Sequence, residues 1–350
     1  MSESPPVPLV SVVVLNYNGE RWIERCLASV KAQSLGSSLE LIVADNLSTD
    51  GSDKTAERIL QNSPNSLFVQ NGDNLGYCEG NNRAAKRARG QYLLFLNNDA
   101  WLEPDCLEKL LAEVKATNAS VAMPLVMNYE DDSFQSLGAE GFDIFGLPST
   151  RLPHAETREV LMPEGCAYLI ERELFERLGG FDAEFYLYSD ELDLSFRAWI
   201  SGAKAIAVPA AHAHHRGAVN VNPAGGGQVV EFRTSDSKRF YSNRNALLVL
   251  LKSGRHMLLL LSVLQIGLLV VEGLVGLLLV RRWSFVKKSY VDALADCWRL
   301  RGHIRAERQR INAFRKQGDV WMLRFLRLRL NRWDEVQRVR RYGMPKVTAT

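Results

Sequence analysis

The sequence is short of cysteine, of charge of one sign and, with one exception, of long apolar runs. Its five cysteines (Cys26, Cys78, Cys106, Cys166, Cys297) are scattered, with no CxxC pair. An odd, unclustered set argues against a disulfide framework and reads as reduced thiols in a cytosolic protein. The start, MSESPPVPLV, lacks a basic stretch followed by an apolar one, so we expect no signal peptide. Hydrophobic residues make up 46% and charged residues 24% of the 350, which excludes global disorder and allows one large domain plus an appendage. The net charge of only +3 hides an asymmetry. Residues 281–350 hold 19 Lys/Arg against 6 Asp/Glu, and the other 280 hold 24 against 34. An acidic body carries a basic tail, which points to an anionic partner, either a membrane surface or nucleic acid.

Residues 9–127 alternate between two patterns. Apolar or β-branched runs at 10–15, 39–44, 67–69, 92–96 and 121–126 predict strands. Helical patterns lie at 20–34, 53–61, 81–89 and 103–117. Trp22, Ile23, Cys26, Leu27 and Val30 share one face of the first, and Pro104 sits in the first turn of the last. Such alternation predicts an α/β fold with a mostly parallel sheet, helices on both faces, and ligands beyond the carboxyl ends of the strands.

Polar residues collect at those ends. The first strand runs into Asn16, Tyr17, Asn18 and Gly19, and the second into Asp45 and Asn46, then LSTDGS. The third leads to Asn71 and NLGYCEGNN, and the fourth, YLLFL, to Asn97, Asn98 and Asp99. Any one of these is an ordinary turn sequence. Four ending alike argue for one binding edge.

Residues 128–163 are less regular and read as a loop or small insertion. A strand at 166–170 and a helix at 171–180 follow, then FDAEFYLYSDELDLSFRAWISG, where Asp190, Glu191 and Asp193 open a helix. Acidic residues there suit the helix dipole. Three carboxylates in four residues also fit a base or metal site. The last strand, 203–217, ends in His212, His214 and His215, a cluster that is either structural or metal-ligating.

In chain order, VSVVVLNYNG, LIVADNLSTDGS, NLGYCEGNN, YLLFLNNDAW, QSLGAEGFDIFG, GCAYLIERELFERLGGFDAEFYLYSDELDLSFR and VPAAHAHH resemble the motifs of inverting family-2 glycosyltransferases with the GT-A fold. The resemblance covers about residues 9–217 and is to the non-processive group that includes rhamnosyltransferases of cell-surface polysaccharide assembly. It implies a nucleoside-diphosphate sugar donor, with Asp45 accepting a hydrogen bond from the base beside Asn16, Tyr17, Asn18 and Asn46. Asn74, Gly76, Gly80 and Asn81 match the donor loop. Its glycines allow close backbone approach, and the following helix would offer free N–H groups to the diphosphate. Asp99 matches the last aspartate of the D-x-D motif and would hold Mg²⁺ or Mn²⁺, which would stabilise the leaving diphosphate. Asn97 stands where that motif has its first aspartate, a departure that lowers the charge on the metal; Asn98 lies between them on the donor side. His215, with His214 as the alternative, matches a further ligand. Asp190 and Glu191 match the acidic pair, Glu191 at the position of the base, in the order opposite to many relatives. Gly165, Cys166 and Ala167 fall where the acceptor would bind. An inverting displacement needs one carboxylate base and no covalent nucleophile.

The one long apolar run is Met257–Val280, whose 24 residues exceed the about 20 that span a bilayer. Gln265 and Glu272 interrupt it, and Lys and Arg flank both sides. Nucleotide sugars are cytosolic, so a single crossing would put the basic tail outside, against the positive-inside rule. We therefore expect an in-plane or re-entrant helix, with burial in protein as the alternative. In WMLRFLRLRLNRW (321–333), Met322, Leu323, Leu326, Leu330 and Trp333 would form one helical stripe with Arg324 and Arg332 opposite. That pattern suits a helix on an anionic membrane, or a solvated helix packed on the body. No nucleic-acid-reading module is recognisable, so nucleic acid is not an expected partner.

The expected organisation is a tail (1–8), a GT-A catalytic domain (9–235), a hydrophobic helical membrane-associating segment (236–290) and a basic amphipathic helical tail (291–350). The expected place is the cytoplasmic face of the cell membrane, peripheral, monotopic or re-entrant, with an oligomer open. The expected reaction moves one sugar to a hydroxyl of a lipid-linked, polyprenyl diphosphate glycan. A protein or soluble acceptor, or a non-catalytic scaffold that kept the fold, are the alternatives. A single apolar run and the lack of a Q-x-x-R-W sequence disfavour a processive synthase. The lack of a GxGTR loop after the first strand disfavours a nucleotidyltransferase.

Overall fold

Val10, Val12, Val13 and Val14 are all fully buried, so β1 (Val10–Asn16) has protein on both faces and lies mid-sheet. This computed structural model describes residues 7–61, 63–150, 153–217, 233–342 and 346–348. β1 pairs in parallel with β2 (Leu39–Asp45) on one side and with β4 (Tyr92–Asn97) on the other; β3 (Ser66–Gln70) continues beyond β2. The rest of the sheet uses β5 (Ala100–Leu102), β6 (Val121–Asn128), β7 (Phe134–Ser136), β10 (Arg158–Glu159), β11 (Ala167–Glu171) and β12 (Ala205–His215); β8 (Ala139–Phe142) and β9 (Pro148–Thr150) form a separate hairpin. The order is β10-β12-β6-β11-β4-β1-β2-β3, with β5 on β12 and β7 on β6. β11 runs antiparallel to both β4 and β6, which makes the sheet mixed. The stretch expected to be irregular, 128–163, supplies the short strands β7 to β10.

Helices α1 (Ile23–Lys31), α2 (Ser52–Leu60), α3 (Gly76–Ala85), α4 (Cys106–Thr117) and α5 (Arg172–Leu178) connect the strands, and α6 (Asp190–Ile200) precedes β12. Burial follows the sequence pattern on α1, where Ile23, Cys26, Leu27 and Val30 face the core. The third helix starts at Gly76 rather than near 81. Gly76 takes φ +73, and a Cβ there would collide with the Tyr186 ring, so only glycine lets the chain turn into the helix at that point.

The C-terminal helices are not an appendage. α7 (Asp236–Ser253) buries Leu247, Leu248, Val249 and Leu250 in the same core as the sheet, and Cys297, Ile311, Met322 and Phe325 join it from farther along. Lys252, fully buried on α7, pairs with Asp193 of α6 at 3.0 Å and with Asp182, which also meets His303 at 2.8 Å. α8 (Met257–Val280) follows. Leu258, Leu261, Ser262, Gln265, Leu269 and Gly273 form its buried stripe, and its Glu272 pairs with Arg332 at 2.7 Å. The opposite face is bare: Leu260 is 60% exposed, Val263 64% and Leu278 73%. By length and composition, α8 is the one helix among the described residues able to cross a membrane.

The single amphipathic helix expected over 321–333 is not formed. A short helix, α12 here numbered after α9 (Trp283–Val286), α10 (Ala293–Arg299) and α11 (Arg301–Phe314), covers Asp319–Met322; a 3-10 turn covers Leu323–Phe325, and α13 begins at Asn331. Tertiary packing overrides the local pattern. The Phe325 ring packs at a tilt against Trp199, centroids 4.8 Å apart, and the Arg327 N–H donates to the Phe142 carbonyl at 2.8 Å, which pulls the backbone out of helix.

Candidate active site

The carboxyl ends of β1, β2 and β4 meet through side chains. Asn16 Nδ2 donates to Asp45 Oδ1 at 2.8 Å and to Ser52 Oγ at 2.8 Å, and Asn98 Nδ2 donates to Asn16 Oδ1 at 2.9 Å. Asp45 is fully buried. Its Oδ1 also accepts from Ser48 Oγ at 2.6 Å, and its Oδ2 from the Ser48 N–H at 2.9 Å and Gln70 Nε2 at 3.0 Å. Asp45 thus fastens β1, the following turn and β3, and a base would have to displace Ser48 or Gln70 to reach it. Asn18, at φ +51, pins the 48–49 turn, accepting from the Thr49 N–H at 2.8 Å.

A cleft of about 310 Å³ opens beside this junction. Of the expected donor residues, Tyr17, Asn46, Asn74, Gly76, Asn97 and Asn98 line it. Gly80 sits behind it, where a Cβ would come within 2.6 Å of Leu15 and 3.0 Å of Asn46 Oδ1. Asn81 is buried and bonds back to the Tyr77 carbonyl at 2.9 Å, within its own helix. Tyr77, Tyr186 and Leu187 also line the cleft, and sequence reasoning missed them. Tyr186 is decisive for one expectation. Its carbonyl accepts from the Tyr77 N–H at 2.7 Å and the Cys78 N–H at 3.3 Å, so these N–H groups at the start of α3, which were expected to be free for a diphosphate, are occupied.

Asp99 and His215 come together: His215 Nε2 lies 3.3 Å from Asp99 Oδ1 and 3.3 Å from Asn97 Nδ2. Gln135 Oε1, 2.9 Å from Nδ1, fixes the ring from behind and leaves Nε2 toward Asp99. Burial alone would lower the His215 imidazole, but Cys166 and Asp99 outweigh it and raise it well above the usual range. The Cys166 thiol is itself raised by burial and stays neutral, so the Asp99 carboxylate carries that charge. His214 points elsewhere. It stacks on Trp101 at 3.6 Å, and its nitrogens face Glu103 and Asp132 at 3.0 Å each. No group of three or more His, Cys, Asp or Glu able to hold a metal occurs among the described residues. One carboxylate and one imidazole do fit a hard cation whose remaining ligands are substrate phosphates and water.

The acidic pair stands at the N-terminus of α6. Burial pushes Asp190 up to about 6. Glu191, raised first by burial and then by the Asp190 carboxylate beside it, lies well above the usual carboxylate range. Both carboxyls are therefore held above the ordinary carboxylate range, which is what acid–base work favours. Asp193, the third carboxylate of the cluster, is not part of the site: it is fully buried and bound by Arg197 at 2.6 Å and by Lys252. The segment Gly165–Cys166–Ala167 bridges the parts. A Cβ on Gly165 would lie 3.7 Å from the Glu191 carboxyl carbon, Tyr77 Oη donates to the Gly165 carbonyl at 2.9 Å, and the Cys166 carbonyl accepts from the Asn97 N–H at 3.0 Å. Ala167 opens β11 opposite Leu96.

Known proteins resemble this chain in sequence and fold. Residues 11–179 match the family model Glycosyl transferase family 2. The chain is 26% identical over 238 residues to the N-acetylglucosaminyl-diphospho-decaprenol L-rhamnosyltransferase of Mycobacterium tuberculosis, covering 59% of this chain and 76% of that protein. It is 31% identical over 137 residues to the chondroitin synthase of Escherichia coli, covering 39% of this chain and 20% of the synthase. The chain spans only between 16% and 36% of the length of several such relatives. Among solved structures, the mannosyltransferase PcManGT of Pyrobaculum calidifontis, in complex with GDP-Man and Mn²⁺, superposes with TM-score 0.53 at 18% identity, covering 83% of this chain and 88% of that one. GalNAc-T7 with UDP, GalNAc and Mn²⁺ superposes with TM-score 0.57 at 19% identity, covering 72% and 49%. These likenesses establish the GT-A fold, and residues 11–179 of this chain are similar to glycosyl transferase family 2 domains.

Proposed function

We propose that this glycosyltransferase moves one sugar from a nucleoside-diphosphate sugar to a hydroxyl of a lipid-linked glycan, in one inverting displacement. The observation that carries the reading is the Gly165–Cys166 segment, which touches the donor cleft through Tyr77 and the Asp99–His215 pair through Asn97, and lies beside the Glu191 side chain. The donor lies in the cleft with its diphosphate toward Asn97 and Asp99. Asp99 and His215 would hold Mg²⁺ or Mn²⁺, which supplies neutralisation of charge on the leaving diphosphate. Glu191 takes the proton of the acceptor hydroxyl, and Asp190 beside it keeps that carboxylate basic enough to do so. With no nucleophile needed, the configuration at the anomeric carbon inverts.

Similarity to a transferase named for a diphospho-decaprenol acceptor supports a lipid-linked acceptor here. The bare apolar face of α8, with Trp283 57% exposed at its end, supports in-plane docking on the cytoplasmic leaflet. A panel of nucleotide sugars screened by thermal shift, with and without Mg²⁺ or Mn²⁺, tests the reading, because a ligand bound only by the folded state raises the midpoint. One donor should raise it in a metal-dependent way and should then support transfer to membrane acceptors. A panel in which none shifts the midpoint and none is transferred overturns it.

A further inference from the structure

The chain entering α6 is held in an unusual backbone. Tyr186 has φ +60 and ψ −54, and Tyr188 and Ser189 have φ +70 and +58, so three of four successive non-glycine residues hold positive φ. Each costs free energy and persists only where surrounding structure imposes it. What imposes it here is α7. Asn245 Nδ2 lies 2.9 Å from the Phe185 carbonyl, 2.8 Å from that of Leu187 and 2.8 Å from that of Tyr188. Arg244 Nε donates to Asn245 Oδ1 at 2.9 Å, so it is the amide nitrogen that faces the carbonyls. Arg244 also reaches the Glu184 carbonyl with one guanidinium nitrogen and Asp296 at 2.8 Å with another. Asn245 is fully buried and Arg244 nearly so.

This gripped segment has two products. Its end presents Asp190 and Glu191, and its middle presents Tyr186, which walls the donor cleft and caps α3. We propose that Asn245, oriented by Arg244, is a positioning residue for sugar transfer. It fixes the 185–188 backbone so that the acidic pair and the Tyr186 wall keep one geometry relative to each other. A buried amide with two N–H groups aimed at three carbonyls exceeds what holding two helices together needs. Apolar side chains and the Lys252 ion pairs do that along the rest of α7. The inference rests on the assignment of Asp190 and Glu191 as the acid–base pair.

Asn245→Ala removes the grip. Misplacement of a reacting group by about 1 Å costs on the order of 100-fold, so kcat should fall between ten- and a hundred-fold. The acid limb of the kcat–pH profile should shift, because the environment of the pair changes. A second change checks the cause. Ser189→Gly relieves one left-handed residue, so it should recover several-fold of kcat in the Asn245→Ala background and change little by itself. A role in stability alone would leave the pH profile in place and show no such rescue. Native kcat and an unmoved acid limb in folded Asn245→Ala overturn the proposal. If that variant does not fold, Arg244→Lys, which keeps the charge near Asp296 but loses the Nε contact to Asn245, is read by the same two criteria. Glu191→Gln is measured alongside. Loss of transfer there with donor binding kept upholds the underlying assignment, and transfer at the native rate removes it, whatever Asn245 does.

Discussion

Asp190 and Glu191 share one environment and divide one task. Both are raised by burial, so the pair ionises above the usual carboxylate value of about 4. The base must be ionised to accept a proton. Transfer should therefore be lost as pH falls through the raised range of Glu191, above that of an ordinary carboxylate, and a kcat–pH profile measured with saturating donor checks this. Asn97 marks the other side of the site. Its amide touches His215 where a carboxylate would add charge, so Asn97→Asp should lower the Mg²⁺ or Mn²⁺ concentration for half-maximal donor binding several-fold, read by metal titration. The types of most of these residues are legible in the sequence, because strand ends rich in Asn and Asp announce a binding edge. Their partners are not. Nothing in the local pattern tells that Asp45 is saturated by Ser48 and Gln70, or that Tyr186 O occupies the start of α3, since both depend on residues brought together from far along the chain.

At the scale of elements, α6 and α7 are joined by buried charge. Lys252 faces Asp182 and Asp193, with Glu307, Arg197 and His303 around them. Removing one partner of a buried ion pair leaves the other uncompensated, so Lys252→Met should cost about 3–5 kcal/mol in denaturant unfolding. Burial alone would raise Asp182, but His303 and Lys252 outweigh it and hold it well below the usual range. The stability it contributes is present above about 4 and lost as pH falls below. His303 is raised by Asp182, so its contribution is full below about 6.5 and lost as pH rises past its folded value. The thermal midpoint should therefore peak between those limits, and the peak should flatten in His303→Gln. Helix α7 lies in the stretch 236–290 expected to be helical, but nothing local shows that its polar run, SNRNA, is held by partners in 184–188. Helix α8 was visible as an apolar run, but which face is bare depends on α13 and Glu272. Replacing Val263, Val271, Leu274 and Leu278 by Ser should lower vesicle-bound protein at least tenfold in a flotation assay, at about 0.8 kcal/mol for each CH₂ withdrawn from lipid, and leave donor binding intact.

For the whole molecule, the alternation of strands and helices was enough to place β1 to β4 and β6, with one carboxyl edge for β1 to β4, though not the short β5. It could not reveal that β11 runs antiparallel between β4 and β6, because strand direction is set by which element returns to which edge. Nor could it show that residues 236–342 close around α6, since the buried polar groups that join the two parts look solvated one at a time. The result is one body in which the helix beneath the acidic pair continues, past Gly254, into the helix with the bare apolar face. The proposed acid–base pair and the bare apolar face of α8 thus lie on adjoining elements. The central claim is metal-assisted sugar transfer with Glu191 as base, and the most direct test compares donor binding and transfer in the native protein and in Glu191→Gln. The donor identified by thermal shift should bind both with similar affinity in the presence of Mg²⁺ or Mn²⁺, while transfer to membrane acceptors falls by about 10²–10⁴-fold in the variant. Native-rate transfer by Glu191→Gln, with the donor bound, would contradict the account.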